Sequence, residues 1–320
     1  MKRLILCLLC GLLLCGCTAR QANPLVEAEA TAVPGVEPAL HAAEASADNV
    51  TEKTVTLYFR YGDQGYLAAE TRRVAVRRDQ TDERAIVEAL LAGPSAEVPT
   101  LRALFPDTVR LLDLSAGGDT LFVTFSTELL TADGIPSDWR QLPEWVEEAP
   151  LRRRLTMASL VCSLTENTGY TAVQVLLRRD GEAQSAFRLE QSYFLGEGTG
   201  VTEPMTRREE LLSTPYRAAL RVLAAWQTRD VDALRALIAG QPPQALALGE
   251  RLDGARVLLE FEASAGSVTP PLDKATVNLS FRTADAYGEI QATEAYPLAL
   301  VWEDGVWKLT DDTLQRLLKR

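Results

Sequence analysis

The chain has 320 residues, of which 33 are Lys or Arg and 44 are Asp or Glu, so its formal net charge is −11. An acidic surface repels polyanions, and the composition therefore disfavours nucleic acid as a partner. The length is sufficient for two domains that each bury a hydrophobic core.

The N-terminus has the pattern of a bacterial export signal. Two basic residues precede an apolar run from Leu4 to Leu14, which is too short to cross a bilayer as a helix but typical of a signal-peptide core. The sequence Leu-Cys-Gly-Cys that follows resembles the lipobox of lipoproteins. The resemblance implies cleavage after Gly16 and a diacylglyceryl anchor on Cys17, which would hold the protein at the extracytoplasmic face of the cell membrane. The alternatives are an ordinary cleaved signal or an N-terminal membrane helix, in which Cys17 is incidental.

Cysteine and histidine usage limits the possible chemistry. If residues 1–16 are removed and Cys17 is lipidated, Cys162 is the only free thiol left, and no internal disulfide can form. Cys162 lies on the apolar stripe of a predicted helix, which favours a buried, inert thiol over a nucleophile. The only histidine is His41, within a predicted tether. Catalytic triads and histidine-containing zinc sites are therefore not expected in the folded domains, and we predict no metal and no cofactor.

Residues 17–52 are rich in Ala, Glu and Pro, which predicts a flexible tether. The pattern from residue 53 predicts an α+β fold of two layers, with two helices on one face of a mixed sheet. On the second strand we expect Val74 and Val76 on one face and the neighbouring arginines on the other. The predicted elements are strands at 54–63 and 72–78, a helix capped by Thr81 or Asp82 and ended by Gly93-Pro94, a hairpin at 108–125, a helix at 151–165 and a strand containing TAVQVLLRRDG.

Several blocks in this region resemble the GerMN domain family. They are VTLYFRYGDQGYLAAETRRV, the helix end IVEALLAGP, LFPDTVRLLDLSAGGDTLFVTFS, and LVCSLTENTGYTAVQVLLRRDG. The resemblance spans roughly residues 52–182 and predicts a GerMN-like domain over 53–194. It implies a ring-building-type α/β fold, a role in the assembly or germination machinery of endospore formers, and no catalytic residues. Residues 131–150, rich in Pro and Trp, depart from the pattern and could form a structural cap or a contact surface.

A second domain is predicted over 206–320, after a Gly-rich linker at 195–205. The glycines at 196, 198 and 200 lack the strand-to-helix context of a nucleotide-binding loop, which favours a linker. We expect two helices within 216–239, with Asp230 as a cap, and then strands at about 255–263, 274–284, 288–302 and 306–310. This arrangement is similar to an NTF2-like domain, in which helices pack on a curved antiparallel sheet. The sheet would enclose a pocket, a dimer surface or simply core, and Trp302 and Trp307 would be cross-strand core partners or the lip of a cavity.

The remaining candidates for chemistry are charged. Three adjacent acidic pairs could support carboxylate catalysis, although turns and helix starts also recruit acids: Glu147 with Glu148, Glu303 with Asp304, and Asp311 with Asp312. Arginines at 72–78 and 152–154 are either solvated faces or a surface for an anionic wall polymer or an acidic protein. Arginines in the first turn of a helix oppose its dipole, so we expect Glu147 or Glu148 to lie close to the second group.

These observations favour a non-enzymatic, membrane-anchored interaction or assembly module of the cell envelope, active in sporulation or germination. Its partners would be the lipid bilayer, through Cys17, and an envelope protein or wall-associated component. The alternative is a ligand- or glycan-binding protein that uses the C-terminal cavity, with carboxylate-based hydrolysis as a further option. A third possibility is that the C-terminal domain is a spacer.

Overall fold

The computed structural model describes residues 50–131, 135–179, 186–194, 198–264, 267–269 and 273–320, and these belong to one unit. The predicted signal peptide, Cys17, His41 and Gly196 lie outside the described residues. Among the residues described, no helix combines the length and the apolar character needed to cross a membrane. The α+β fold class predicted from the sequence is confirmed.

The N-terminal part contains two sheets and a long helix. Its elements are β1 (Val50–Tyr61), β2 (Leu67–Arg77), α1 (Asp82–Leu91), β3 (Leu101–Arg102), β4 (Leu111–Gly117), β5 (Thr120–Ser126), α2 (Pro143–Asn167), β6 (Ala172–Arg178), β7 (Phe187–Arg188), α3 (Gln191–Phe194) and β8 (Met205–Thr206), with 3-10 turns at Thr127–Leu130, Trp139–Gln141 and Glu209–Leu211. The cap predicted for α1 is confirmed, because Thr81 accepts a hydrogen bond from the backbone N–H of Arg84 at 3.3 Å.

The strands form two sheets instead of the single mixed sheet expected. The first has the order β2-β1-β3, and the second has the order β4-β5-β6-β7 with β8 also on β6; β5 and β6 are parallel. Side chains of α2 explain the division. Ser163 accepts from the N–H of Tyr58 at 3.0 Å, Ser159 donates to the carbonyl of Tyr58, and Asn167 bonds both backbone groups of Thr56. The helix thus satisfies backbone groups of β1 that a further strand would otherwise pair.

The start predicted for the second helix is wrong. We expected it at Leu151, after Pro150, but α2 begins at Pro143 and continues through Pro150. Pro143 lies in the first turn, where a backbone N–H would have no intrahelical partner, so its absence costs no hydrogen bond. Pro150 removes only one intrahelical hydrogen bond. The turn before Pro150 is fixed instead by Glu148, which binds the buried Arg60. The arginines at 152–154 therefore lie in the helix interior and do not oppose the dipole of a first turn.

The C-terminal part packs helices on one face of a curved antiparallel sheet. Its elements are α4 (Pro215–Thr228), α5 (Val231–Ala236), α6 (Ala245–Gly254), β9 (Val257–Ala263), β10 (Ser267–Thr269), β11 (Lys274–Ala284), β12 (Ile290–Glu303), β13 (Val306–Lys308) and α7 (Asp311–Leu318). The order is β10-β11-β12-β13, with β9 also pairing β11. The predicted strands and the Asp230 cap, which accepts from the N–H of Ala233 at 2.9 Å, are confirmed. Helices α6 and α7 were not predicted, and the NTF2-like assignment stays a prediction.

Each part has its own hydrophobic core. In the C-terminal part, inward residues of β11 alternate along the strand and meet α4, so that Trp226 and Phe281 pack edge to face with centroids 5.7 Å apart. Trp307 is buried, as expected of a core partner, and its cross-strand neighbour Trp302 is 36% exposed. The buried side chains of this sheet, including Trp307, therefore form part of the second core. Val306 belongs to the first core although it lies on β13, which already indicates that the two parts are joined.

Candidate functional site at the junction of the two cores

The acidic pairs predicted from the sequence are engaged in structural contacts. Glu148 binds Arg60 and also lies 3.6 Å from Arg152, as expected for an acidic neighbour of that arginine group. Asp311 binds Arg251 at 2.5 Å, and Asp312 binds Arg316 at 2.5 Å. Glu148, Asp311 and Asp312 are thus each bound to at least one cation, whereas Glu147 is exposed.

Glu303 and Asp304 share one cation. The Nζ of Lys308 lies 2.9 Å from Glu303 and 3.3 Å from Asp304, and Glu303 also accepts from the N–H of Gly240. Burial works against the charge of Lys308, but its contacts with Tyr61 and Glu303 outweigh burial and raise the pKa of Lys308. These carboxylates hold a lysine in place at the end of β13.

The Cys162 thiol is fully buried on α2, in the first core. Burial raises the pKa of this thiol, which disfavours the thiolate, the reactive form of cysteine. The prediction that Cys162 is buried in the core is confirmed.

The arginines of β2 do not all share one face. Arg72 lies on the same face as Val74 and Val76, because residues two apart on a strand point to the same side. Its guanidinium donates to the carbonyls of Ala89 and, at 2.9 Å, Gly93, at the C-terminal end of α1. The expectation of a solvated arginine face was therefore wrong for Arg72. Its positive charge lies at the C-terminal end of α1 and binds carbonyl groups there.

The Trp-containing segment before Pro150 packs as a cap on its own helix. The ring of Trp139 lies between the guanidinium groups of Arg140 and Arg153, at 4.5 and 5.0 Å from the ring centroid. Trp145 is stacked in the same way by Arg152, at 5.6 Å. These contacts favour the interpretation of this segment as a structural cap.

Backbone hydrogen bonds join the two cores along the start of β2. The N–H of Ser213 donates to the carbonyl of Leu67 at 3.1 Å, and the N–H of Ala69 donates to the carbonyl of Gly305 at 3.1 Å. The hydroxyl of Ser213 in turn accepts from the N–H of Trp307 at 3.1 Å. Since β2 is an edge strand, these bonds satisfy backbone groups that would otherwise be open to pairing with another chain.

A stack of two cations and two aromatic rings fills the same junction. Tyr61 and Tyr66, on either side of the β1–β2 turn, stack with centroids 5.9 Å apart and planes 16° apart. Lys308 lies over the outer face of this pair at 5.4 Å from Tyr61, and Arg221 of α4 lies over Tyr66 at only 3.8 Å. The N-terminal part thus supplies the rings, and the C-terminal part supplies the cations.

Arg221 is held differently from Lys308. Its Nη2 donates to the carbonyl of Leu212 at 3.1 Å, but its Nη1 is buried and has no hydrogen-bond partner among the described residues. Burial lowers the pKa of Arg221 to about 10. The hydroxyl of Tyr66 is also buried without a partner, and burial raises the pKa of Tyr66 to about 12.

A pocket of about 240 Å³ adjoins these two residues. The turn before β2 contributes Gln64 and Tyr66, and α4, α5 and the residues that flank α5 contribute the remaining wall. Those remaining lining residues are Arg221, Ala224, Ala225, Thr228, Asp230, Ala233 and Leu237. The pocket therefore combines an apolar helical wall with a few polar groups, which is the usual composition of small-molecule sites.

The sequence analysis did not identify this site. Its residues come from segments that are about 150 positions apart, and no short motif connects them. The available local signals are two tyrosines on either side of a Gly-containing turn and one arginine among the small and apolar residues of YRAALRVLAAWQ. Neither signal indicates which distant residue the tyrosines or the arginine would contact.

Comparison with known proteins finds one family model that is similar to the segment containing the first core. Residues 56–184 match the model of the Germane family, described as sporulation and spore germination. The tandem GerMN domains of the sporulation protein GerM from Bacillus subtilis match with 15% identity and a TM-score of 0.33, over 57% of this chain and 50% of that one. A Clostridium perfringens protein provisionally classed as a lipoprotein matches with 16% identity and a TM-score of 0.28, over 50% of this chain and 90% of that one.

The chain spans about half the length of the GerM structure. A search of curated protein sequences found no match. The resemblance to the GerMN domain expected from the sequence blocks is confirmed by the match of residues 56–184 to the Germane family model.

Proposed function

We propose that this protein is a lipid-anchored, non-enzymatic interaction module of the cell envelope that acts in sporulation or spore germination. The observation that carries the proposal is the Germane family match over residues 56–184.

The anchor is supported by the sequence at the N-terminus. A cationic start, a short apolar run and the Leu-Cys-Gly-Cys boundary coincide at the position where lipoproteins carry their modified cysteine. Two acyl chains on Cys17 would suffice for stable membrane attachment, which a single chain does not give.

The contacts of the candidate catalytic residues support a non-enzymatic role. Glu148, Glu303, Asp311 and Asp312 each bind a cation that positions an element of the fold, and Cys162 is buried with a raised pKa. A general acid or nucleophile needs a group that is free to exchange a proton or attack a substrate.

The contacts at the junction support the proposal that the two parts of the protein act as one unit. Backbone hydrogen bonds and the stack of Tyr61, Tyr66, Lys308 and Arg221 join the two cores, so a partner bound to either part would be positioned relative to both. A simple spacer would not need such contacts.

Site-specific photo-crosslinking in membranes tests this proposal. A photoreactive residue at exposed Val146 on α2, or at exposed Leu246 on α6 as the matched position in the C-terminal part, should give a discrete adduct with an envelope component in sporulating cells. Absence of an adduct from both positions, together with release of soluble fragments from cell wall by the purified protein, would contradict it.

A further inference from the structure

The outer edge of β2 is occupied at the start of the strand and open along the rest of it. Leu67 and Ala69 use outward backbone groups for the hydrogen bonds of the junction. Because backbone groups alternate between the two sides of a strand, all odd-numbered residues of β2 direct their N–H and C=O groups to this edge. Strand β2 is terminal in its sheet, and no backbone hydrogen bond among the described residues reaches this edge at positions 71–75.

The pairing of β1 gives the same direction for these backbone groups. Thr71 lies opposite Thr56, and the N–H of Thr56 bonds Asn167 of α2 instead of β2. The pairs that contain odd-numbered residues of β2 are therefore the non-hydrogen-bonded pairs of the β1–β2 ladder. Helix α2 thus satisfies one edge of this sheet, whereas the other edge is open beyond the junction, and an open edge is a template for another extended chain.

One face of the open segment is cationic. The side chains of Arg73 and Arg77 are 77% and 63% exposed, and Ala75 lies between them on the same face. Their contacts with Glu52 at 3.4 Å and Asp79 at 3.9 Å are exposed and long, so both arginines can exchange these contacts for another carboxylate. A strand on this edge would match the charge if it had two acidic residues four positions apart, with a small residue midway between them.

The opposite face of the segment is partly apolar. Val74 and Val76 are only partly buried, and Val74 packs against the first core. An added strand would cover them with apolar side chains at the positions between its acidic and small residues. A second copy of β2 does not fit this edge, because it would bring another Arg73 and Arg77 to the same seam.

We propose that the open edge of β2 binds an extended acidic segment of a partner protein as an added antiparallel strand. The backbone of that segment would bond the outward N–H and C=O groups of Arg73 and Ala75, and its two carboxylates would pair with Arg73 and Arg77. The added strand would continue the row of backbone hydrogen bonds that Leu67 and Ala69 begin at the junction. This inference rests on the proposed interaction function and deepens it by naming the class of partner and its site.

The test measures the fluorescence anisotropy of the labelled peptide amide TEVTVET during titration with the full-length protein in detergent. In antiparallel register its glutamates lie opposite Arg73 and Arg77, and its central threonine lies opposite Ala75. We expect saturable binding with a dissociation constant of roughly 100 μM or lower. The peptide TKVTVKT, in which lysines replace the glutamates, should bind at least about fivefold more weakly because it places like charges opposite the arginines.

Backbone methylation of the peptide tests the hydrogen bonds separately from the charges. The N–H of the central threonine would face β2, so methylation of that nitrogen should abolish binding. The N–H of the valine before it would point away from β2, so the same methyl group there should change the dissociation constant by no more than about twofold.

Variants of the protein test the same contacts from the other side. Ala75→Pro removes an outward N–H that the β1–β2 ladder does not use, which an edge strand tolerates, so it should abolish binding, whereas Ala75→Thr should retain it. Arg73→Glu should weaken binding about fivefold or more. Arg316→Glu, which makes the same change of charge in an exposed salt bridge on α7, should leave binding unchanged.

Three results would overturn the proposal: no saturable binding of TEVTVET, equal binding of the two methylated peptides, or equal binding by Arg73→Glu and the wild type. The peptide comparison uses the wild-type protein, so it decides the question even if Ala75→Pro does not fold. Photo-crosslinking at positions 146 and 246 depends on neither β2 nor the peptide, so failure here leaves the proposed envelope function testable on its own.

Discussion

The N–H of Ala69 donates to the carbonyl of Gly305 at 3.1 Å, which joins the turn of the β12–β13 hairpin to the edge of β2. Gly305 has φ of +78°, and a Cβ added there would collide with the carbonyl oxygen of Ala69. Two separate constraints therefore require glycine at this position.

Gly305→Ala should lower the free energy of unfolding by more than backbone strain explains. The matched control is Gly118→Ala, in the turn of the β4–β5 hairpin, where φ is +59° and no atom lies within 4 Å of the added Cβ. In urea unfolding, we expect the control to lose about 1 kcal/mol of unfolding free energy. Gly305→Ala should lose about 1–3 kcal/mol more than the control. Equal losses in the two variants would show that the junction is not closely packed.

Tyr66→Phe should leave the free energy of unfolding unchanged or raise it by up to about 1 kcal/mol in the absence of ligand, because the lost hydroxyl is buried and unpartnered. Tyr58→Phe is the control. Its hydroxyl accepts from Arg207 at 3.0 Å and donates to Glu166 at 3.2 Å, so this variant should lose about 1–2 kcal/mol. The account of the junction fails if Tyr66→Phe is the more damaging of the two in urea unfolding.

Arg72→Met should destabilise the protein by about 1–2 kcal/mol, because it leaves the carbonyls of Ala89 and Gly93 without their cationic donor. The neighbouring Arg73 is 77% exposed and contacts only exposed Glu52, so Arg73→Met should change the free energy of unfolding by no more than about 0.5 kcal/mol. Thermal unfolding of the two variants distinguishes them, and similar midpoints would refute the helix-capping role of Arg72.

Glu303 should contribute to stability in a pH-dependent way. Burial raises its pKa, but hydrogen bonds from Lys308 and the N–H of Gly240 outweigh burial, so the folded-state pKa lies below the ordinary value of 4.5. The unfolded chain therefore binds this proton more readily, and the contribution is present above pH 4.5 and is lost as the pH falls through the folded-state pKa. The stability difference between wild type and Glu303→Gln should be constant from about pH 7 to 5 and shrink at lower pH. A difference that grows in acid would contradict the assignment.

Local signals in the sequence predicted the elements that depend on local chemistry. Thr81 and Asp230 were identified as caps because the side chain and the backbone N–H it accepts from lie three residues apart. The turn between the strands predicted at 288–302 and 306–310 is formed by Asp304 and Gly305, both of which adopt positive φ. The start of α2 was missed because Pro150 is an interior proline, and what fixes the helix around it is a distant residue, Arg60.

The candidate site depends on contacts that no local pattern encodes. Arg221 meets Tyr66 across 155 positions of chain, and the turn at Gly305 meets Ala69 across more than 200. Single-residue propensities describe a residue with its near neighbours, so they predicted a helix around Arg221 and left Tyr66 between two predicted strands. The pairing of the two residues arises only when the cores dock.

Mass spectrometry of the N-terminal peptide of the protein isolated from membranes tests the central claim most directly. The account predicts a chain that begins at Cys17, carries a diacylglyceryl group on its sulfur and lacks residues 1–16. Recovery of a peptide that still contains Met1 to Gly16, or of an unmodified Cys17 in a protein found in the medium, would contradict the lipid anchor and with it the proposed place of the protein in the cell envelope.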